Sequence, residues 1–122
     1  MATSNIANWF DIPVADLERA MGFYAEIIAE PLSRYSAPGL EGALFPDRGV
    51  TGTLIKGDSF TPGKDGSVVY LDGGEDLGPM LSRAEQAGGK VLLPKTEIGG
   101  GRGYFAYFED SEGNRIGLHS TG

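Results

Sequence analysis

Asp11-Ile12-Pro13-Val14-Ala15-Asp16-Leu17-Glu18-Arg19-Ala20-Met21-Gly22-Phe23-Tyr24 is the stretch in which the chain changes period. Up to Val14 it reads as a strand, and from Asp16 the apolar residues Leu17, Ala20, Met21, Tyr24, Ile27 and Ile28 recur at helical spacing, with Glu18, Arg19 and Glu26 on the other side. Asp16 is placed to cap the helix, because its carboxylate can accept from the unpaired amides of the first turn. Sixty residues later Asp76-Leu77 opens a second such pattern, Leu77, Met80, Leu81, Ala84 and Ala87, which stops at Gly88-Gly89, where a left-handed residue is needed. An echo at half the chain length indicates two similar modules.

Each helix follows a strand-like segment, Ala7 to Val14 and Ser67 to Asp72, and each precedes three more. These are Leu32 to Ser36, Leu40 to Phe45 and Gly52 to Lys56 in the first half, and Lys90 to Leu93, Tyr104 to Phe108 and Asn114 to His119 in the second. Turn-forming residues separate them, as in Ala37-Pro38-Gly39, Asp47-Arg48-Gly49 and Asp110-Ser111-Glu112-Gly113-Asn114. Residues 57–66, with Pro62 and Gly63, read as the linker between halves. The fold class expected is α+β: two βαβββ modules, about 6–57 and 67–120, within one domain spanning 1–122 and forming a curved mixed sheet around a groove. One helix on one short sheet makes a poor core, so the modules must share theirs, within the chain or across a dimer.

Twenty glycines in 122 residues agree with short strands and tight turns. The net charge of −7 repels phosphate backbones and anionic headgroups, so neither nucleic acid nor a membrane is an expected partner. No apolar run is long enough to span a bilayer, and residues 1–8 have neither the basic start nor the apolar stretch of a signal peptide, so the expected location is cytoplasmic. Without cysteine there are no disulfides, thiolate metal sites or thiol nucleophile.

The opening string Asp11 to Tyr24 resembles the first strand and helix of the vicinal oxygen chelate superfamily, which includes glyoxalase, bleomycin-resistance proteins and extradiol dioxygenases. Phe108-Glu109-Asp110-Ser111-Glu112-Gly113-Asn114-Arg115-Ile116-Gly117-Leu118 resembles its closing hairpin. Val69-Tyr70-Leu71 and Ala87-Gly88-Gly89-Lys90-Val91 are similar to the start of the second module in the uncharacterised glyoxalase-related branch. The resemblance spans nearly the whole chain and implies the glyoxalase-like fold and a homodimer; it does not fix the chemistry. In metal-dependent members a histidine or glutamate projects from the first strand of each module and a glutamate from the last. The matching positions here are Trp9 and Gly117, with Val69 or Val68, and Gly52 or Thr53, completing the set. Divalent ions need several converging nitrogen or oxygen donors, so the resemblance implies no metal, and no cofactor is expected.

Candidate site residues follow from strand alternation. Trp9 and Asp11 share one side of the first strand, and His119, the single histidine, shares a side with Gly117. With Tyr70 and Tyr104 they make a candidate ligand-binding set, Trp9, Asp11, Tyr70, Tyr104 and His119, in which His119 and Asp11 are the candidates for proton transfer. Each has a plainer reading: His119 as an idle terminal residue, Trp9 as a plug, the tyrosines as sheet packing. Tyr104 and Ala106 face opposite to Phe105 and Tyr107, so only part of that cluster can line a groove. Phe23 and Tyr24 follow the helical pattern into the core. Gly99-Gly100-Gly101-Arg102-Gly103 lacks the strand-loop-helix order of a phosphate loop and reads as a mobile hairpin or lid. Lys56 is a solvated strand-end lysine by default, and there is no G-x-S-x-G. The leading expectation is a metal-free protein that holds a small organic molecule, with a cationic one among the possibilities, in an aromatic-lined groove. The alternatives are a lyase or isomerase acting on a small carbonyl compound, and a ligand-free dimerisation module.

Overall fold

The computed structural model describes residues 5–122; residues 1–4, part of the amino-terminal stretch read above, lie outside them. The order is β1 (Trp9–Pro13), α1 (Leu17–Ile28), β2 (Ser33–Ala37), β3 (Leu40–Leu44), β4 (Thr51–Gly57), β5 (Val69–Asp72), α2 (Gly78–Gln86), β6 (Lys90–Glu97), β7 (Tyr104–Glu109) and β8 (Arg115–Ser120). This is βαβββ twice. The mixed sheet is built as two four-stranded sheets, β1-β4-β3-β2 and β5-β8-β7-β6, in each of which the first and last strands of the module pair in parallel and the rest are antiparallel.

Asp16 caps α1 as its chemistry dictates, in extended backbone, with Oδ1 accepting from the Arg19 amide at 3.0 Å. The helix buries Leu17, Ala20, Phe23, Tyr24 and Ile27 and stops at Ala29, which takes a left-handed φ of 60°. The second helix starts one residue later than the Asp76 cap would place it: Leu77 is the cap residue, while Asp76 accepts from the Gly78 amide at 2.9 Å and Pro79 supplies the helical φ of the first turn. Gly88 is left-handed, with φ of 102°, and Gly89 donates to Ala84 O at 2.8 Å, so α2 ends where expected. The strand β6 runs four residues beyond Leu93, through Pro94. Two register shifts against β7 and a position at the sheet edge let proline sit there without losing a ladder bond.

The modules share a core within the chain. Ile12, Tyr24 and Leu54 from the first half and Leu77, Phe108 and Leu118 from the second belong to one buried cluster, and α1 packs on α2. The turn after β7 fastens them together. The carboxylate of Glu112 accepts from the Ala15 and Asp16 amides and from the Arg19 guanidinium, Asp110 accepts from the Tyr24 hydroxyl, and Asn114 donates to Pro13 O. Arg83 of α2 adds a bond to Ile27 O at 2.9 Å. The turn Asp110-Ser111-Glu112-Gly113-Asn114 is therefore also a clamp on the start of α1. No helix is long and apolar enough to cross a membrane among the described residues.

Candidate functional site

The register of the second sheet decides which side chains meet. Tyr70 pairs with Gly117 and Asp72 with His119, while Phe105 pairs with His119 and Tyr107 with Gly117, so all of these stand on one face. Leu71, Ala106, Phe108, Ile116 and Leu118 stand on the other and are buried. The first face borders a cavity of about 830 Å³ lined chiefly by Tyr70, Asp72, Ile98, Phe105, Tyr107 and His119. Its floor is aromatic: the Tyr70 and Tyr107 rings lie 6.0 Å apart, and Phe105 meets Tyr107 edge-on at 5.4 Å. The two phenols are hydrogen-bonded at 2.7 Å. Burial, together with that bond, pushes the Tyr70 hydroxyl up to about 12.

His119 touches this cavity with a ring whose other side is occupied, because Nε2 lies 2.8 Å from Arg102 O in the glycine loop. Asp72, one strand away, accepts from the Gly74 amide at 2.8 Å through one oxygen and keeps the other.

The first sheet presents a different group. Trp9 is half exposed and donates from Nε1 to Asp11 Oδ1 at 3.3 Å, and the Thr53 hydroxyl donates to the same oxygen. Asp11 pairs with Thr53 across β1 and β4 as Tyr70 pairs with Gly117 across β5 and β8. Asp11 borders a smaller hollow of about 340 Å³ under the linker, with Lys64 and Arg115, and neither it nor Trp9 lines the aromatic cavity.

Of the five candidate ligand residues, then, the structure brings Tyr70 and His119 together, holds Trp9 and Asp11 as a separate pair on the other sheet, and turns Tyr104 away. Tyr104 stands on the helix-side face, packed against the core with Lys95 Nζ 4.8 Å from its ring centroid. Alternation along β7 carries the reason: if Phe105 and Tyr107 face the cavity, Tyr104 cannot. Asp72 and Ile98 carry no signal in the sequence, whereas Phe105 and Tyr107 read there as sharing one side of β7, with packing as the plainer role of the tyrosine; Asp72 depends on the β5–β8 register. Lys56 is exposed at the end of β4.

In the observed register Thr53 rather than Gly52 shares the face of Asp11, and strand alternation carried back from Tyr70 puts Val68 rather than Val69 on the face of that ring. The four places where the superfamily's metal ligands would stand thus hold Trp9, Thr53, Val68 and Gly117, which offer one hydroxyl between them, itself donated to Asp11. At Gly117 even the space is taken, since an added Cβ would come within 2.4 Å of the Tyr70 ring. Among the described residues no three histidine, aspartate or glutamate side chains converge elsewhere. The residues present do not fit a divalent ion at the usual site.

Solved structures share this architecture. The antibiotic-binding protein TnmS3 from Streptomyces sp. CB03234 superposes with a TM-score of 0.68 at 26% identity, over 98% of each chain. Glyoxalase I from Zea mays gives 0.71 at 18% identity; the match takes in 93% of this chain and 43% of that one. A glyoxalase-related enzyme from Fulvimarina pelagi gives 0.67 at 17% identity, over 93% and 86%. No curated protein matches the chain. The family model of the Glyoxalase/Bleomycin resistance protein/Dioxygenase superfamily matches residues 6–118, nearly the whole chain, and the chain belongs to that superfamily.

Proposed function

We propose that the protein binds a small aromatic molecule in the cavity of the second sheet and holds it without chemical change. The observation that carries this reading is the floor of Tyr70, Phe105 and Tyr107 in a cavity of about 830 Å³, a size that takes up most of a drug-sized molecule. Shape and aromatic surface suffice for sequestration, and the donor set described above does not fit metal-assisted chemistry. The likeness to an antibiotic-binding protein over 98% of both chains supports the same reading. Calorimetry with a panel of aromatic antibiotics tests it, with mass spectrometry of the recovered ligand. Unchanged ligand, bound at least about tenfold more weakly by Tyr70→Ala and Phe105→Ala, is the expected result. No binding at millimolar concentration refutes it.

We infer a cytoplasmic homodimer as a second use of the first sheet, on the ground that Trp9 and Leu44 are exposed on its face turned from the helices. Sedimentation as a monomer at tens of micromolar contradicts it. An enzymatic reading, a lyase or isomerase acting on a small carbonyl compound through His119 or Asp11, gains from the placement of Asp72 in register with His119. Turnover that survives His119→Ala combined with Asp11→Ala removes it.

A further inference from the structure

The glycine loop between β6 and β7 does more than join them. Gly103 has φ of 90° and lies so close to β8 that an added Cβ would come within 2.2 Å of Ser120 O and 3.2 Å of His119 Nε2. Only glycine permits this approach, because the first of these contacts is with backbone. Ile98 N donates to Gly103 O at 2.9 Å and Arg102 N to Gly99 O at 3.3 Å, which closes the loop and sets Arg102 O against the imidazole. A carbonyl oxygen can only accept, so Nε2 carries the proton. In the neutral ring Nδ1 then keeps a lone pair, and no hydrogen bond among the described residues uses it.

The remaining polar groups of the cavity point the same way. Asp72 is the one charged side chain lining it, and no lysine or arginine does. The tyrosine pair spends one O–H on itself and leaves one donor. A carboxylate ligand would meet that single phenol and the field of Asp72, in a protein of net charge −7. A cationic donor would find in one cavity the Asp72 carboxylate, an imidazole whose Nδ1 lone pair no described residue uses, and three aromatic rings.

Resting on the binding reading above, we propose that the glycine loop, through Arg102 O, fixes His119 in its Nε2–H form, and that the cavity therefore selects aromatic molecules carrying a cationic hydrogen-bond donor. Three probes of one ring system separate the possibilities: naphthylmethylammonium, naphthylmethanol and naphthoate. Long-range proton–nitrogen NMR of the imidazole reads His119 without ambiguity, because it is the only histidine. In the unliganded protein we expect a pyrrole-type Nε2, with its proton protected from water, and a pyridine-type Nδ1. The ammonium probe should bind at least about tenfold more tightly than the naphthoate and shift the Nδ1 signal. Gly103→Ala should expose the Nε2 proton and reduce the preference; His119→Gln, which leaves the loop backbone intact, should reduce it as well.

A protonated Nδ1 with a bare Nε2, or equal affinity for all three probes, overturns the proposal. If the probes bind equally but still require Tyr70, the aromatic reading survives and the selectivity falls; if none binds, both fall. Retention of wild-type preference and Nε2 protection in a folded Gly103→Ala protein removes the loop from the mechanism.

Discussion

Replacing Glu112 by glutamine tests how the two modules are fastened. Its side chain is closed to solvent and accepts five hydrogen bonds, from the Ala15 and Asp16 amides at 2.9 Å each, from Arg19 at 2.7 and 3.0 Å, and from Ser111 Oγ at 2.9 Å. Burial alone would raise its pKa, but the guanidinium and the amides prevail and bring it from 4.5 down to about 2. A carboxyl displaced that far contributes about 3 kcal/mol by linkage, reduced to about 2 kcal/mol because Arg19 stands half in solvent. The folded-state pKa lies below the unfolded one, so this stability is complete above about pH 5 and drains away as the pH falls from 4.5 towards 2. Glutamine keeps one oxygen for the amides but loses the charge that Arg19 needs. Glu112→Gln should therefore lose about 2 kcal/mol at neutral pH, roughly 8 °C in Tm for a chain of this length. Urea unfolding at a series of pH values should show the gap between the two proteins narrowing as the pH falls below 4.5 and closing only towards about pH 2. A gap that ignores pH, or one below about 0.5 kcal/mol throughout, refutes the clamp and leaves Glu112 in an ordinary turn.

Tyr24→Phe removes a buried hydroxyl that donates to Asp110 at 2.6 Å and should cost about 1.5–3 kcal/mol in urea unfolding; a cost near zero would mean that water replaces the hydroxyl. Gly117→Ala should push the Tyr70 ring off the sheet, break its bond to Tyr107 and let its phenol titrate below about 12, read by ultraviolet absorbance; an unmoved titration contradicts the close approach. Trp9 is the only tryptophan, so its emission should shift to the blue as concentration rises and the proposed dimer covers it; constant emission across the dilution series counts against that surface.

The fold was legible because its evidence is local. A helix reports itself through spacing within a dozen residues, as Leu17 to Ile28 do, and its ends through caps such as Asp16 and Gly88. Strand boundaries came within a residue or two except in β6, whose extension through Pro94 depends on bulges that no spacing reveals. The site was only half legible because it depends on register. Alternation shows that Phe105 and Tyr107 share a side, but only the pairing of β7 with β8 says that this side faces the cavity with His119. The clamp was missed for a like reason: Glu112 meets Arg19 across 93 residues, and nothing near either residue announces the other.

The two modules also show how one backbone reaches two chemistries. At equivalent places in the parallel strand pairs, the first module sets Asp11 against Thr53 and the second sets Tyr70 against Gly117. The first solution is small, polar and satisfied by a hydrogen bond; the second lays a ring over a position that has no side chain. A glutamate at 117 and the Tyr70 ring in its present place are mutually exclusive, since even a Cβ there meets the ring at 2.4 Å. The absent side chain that argues against a divalent ion is thus the same feature that makes room for the aromatic floor. Substitution of Gly117 alone would displace the Tyr70 ring without supplying the other donors an ion requires, so a divalent-ion site cannot be made in this sheet at one residue.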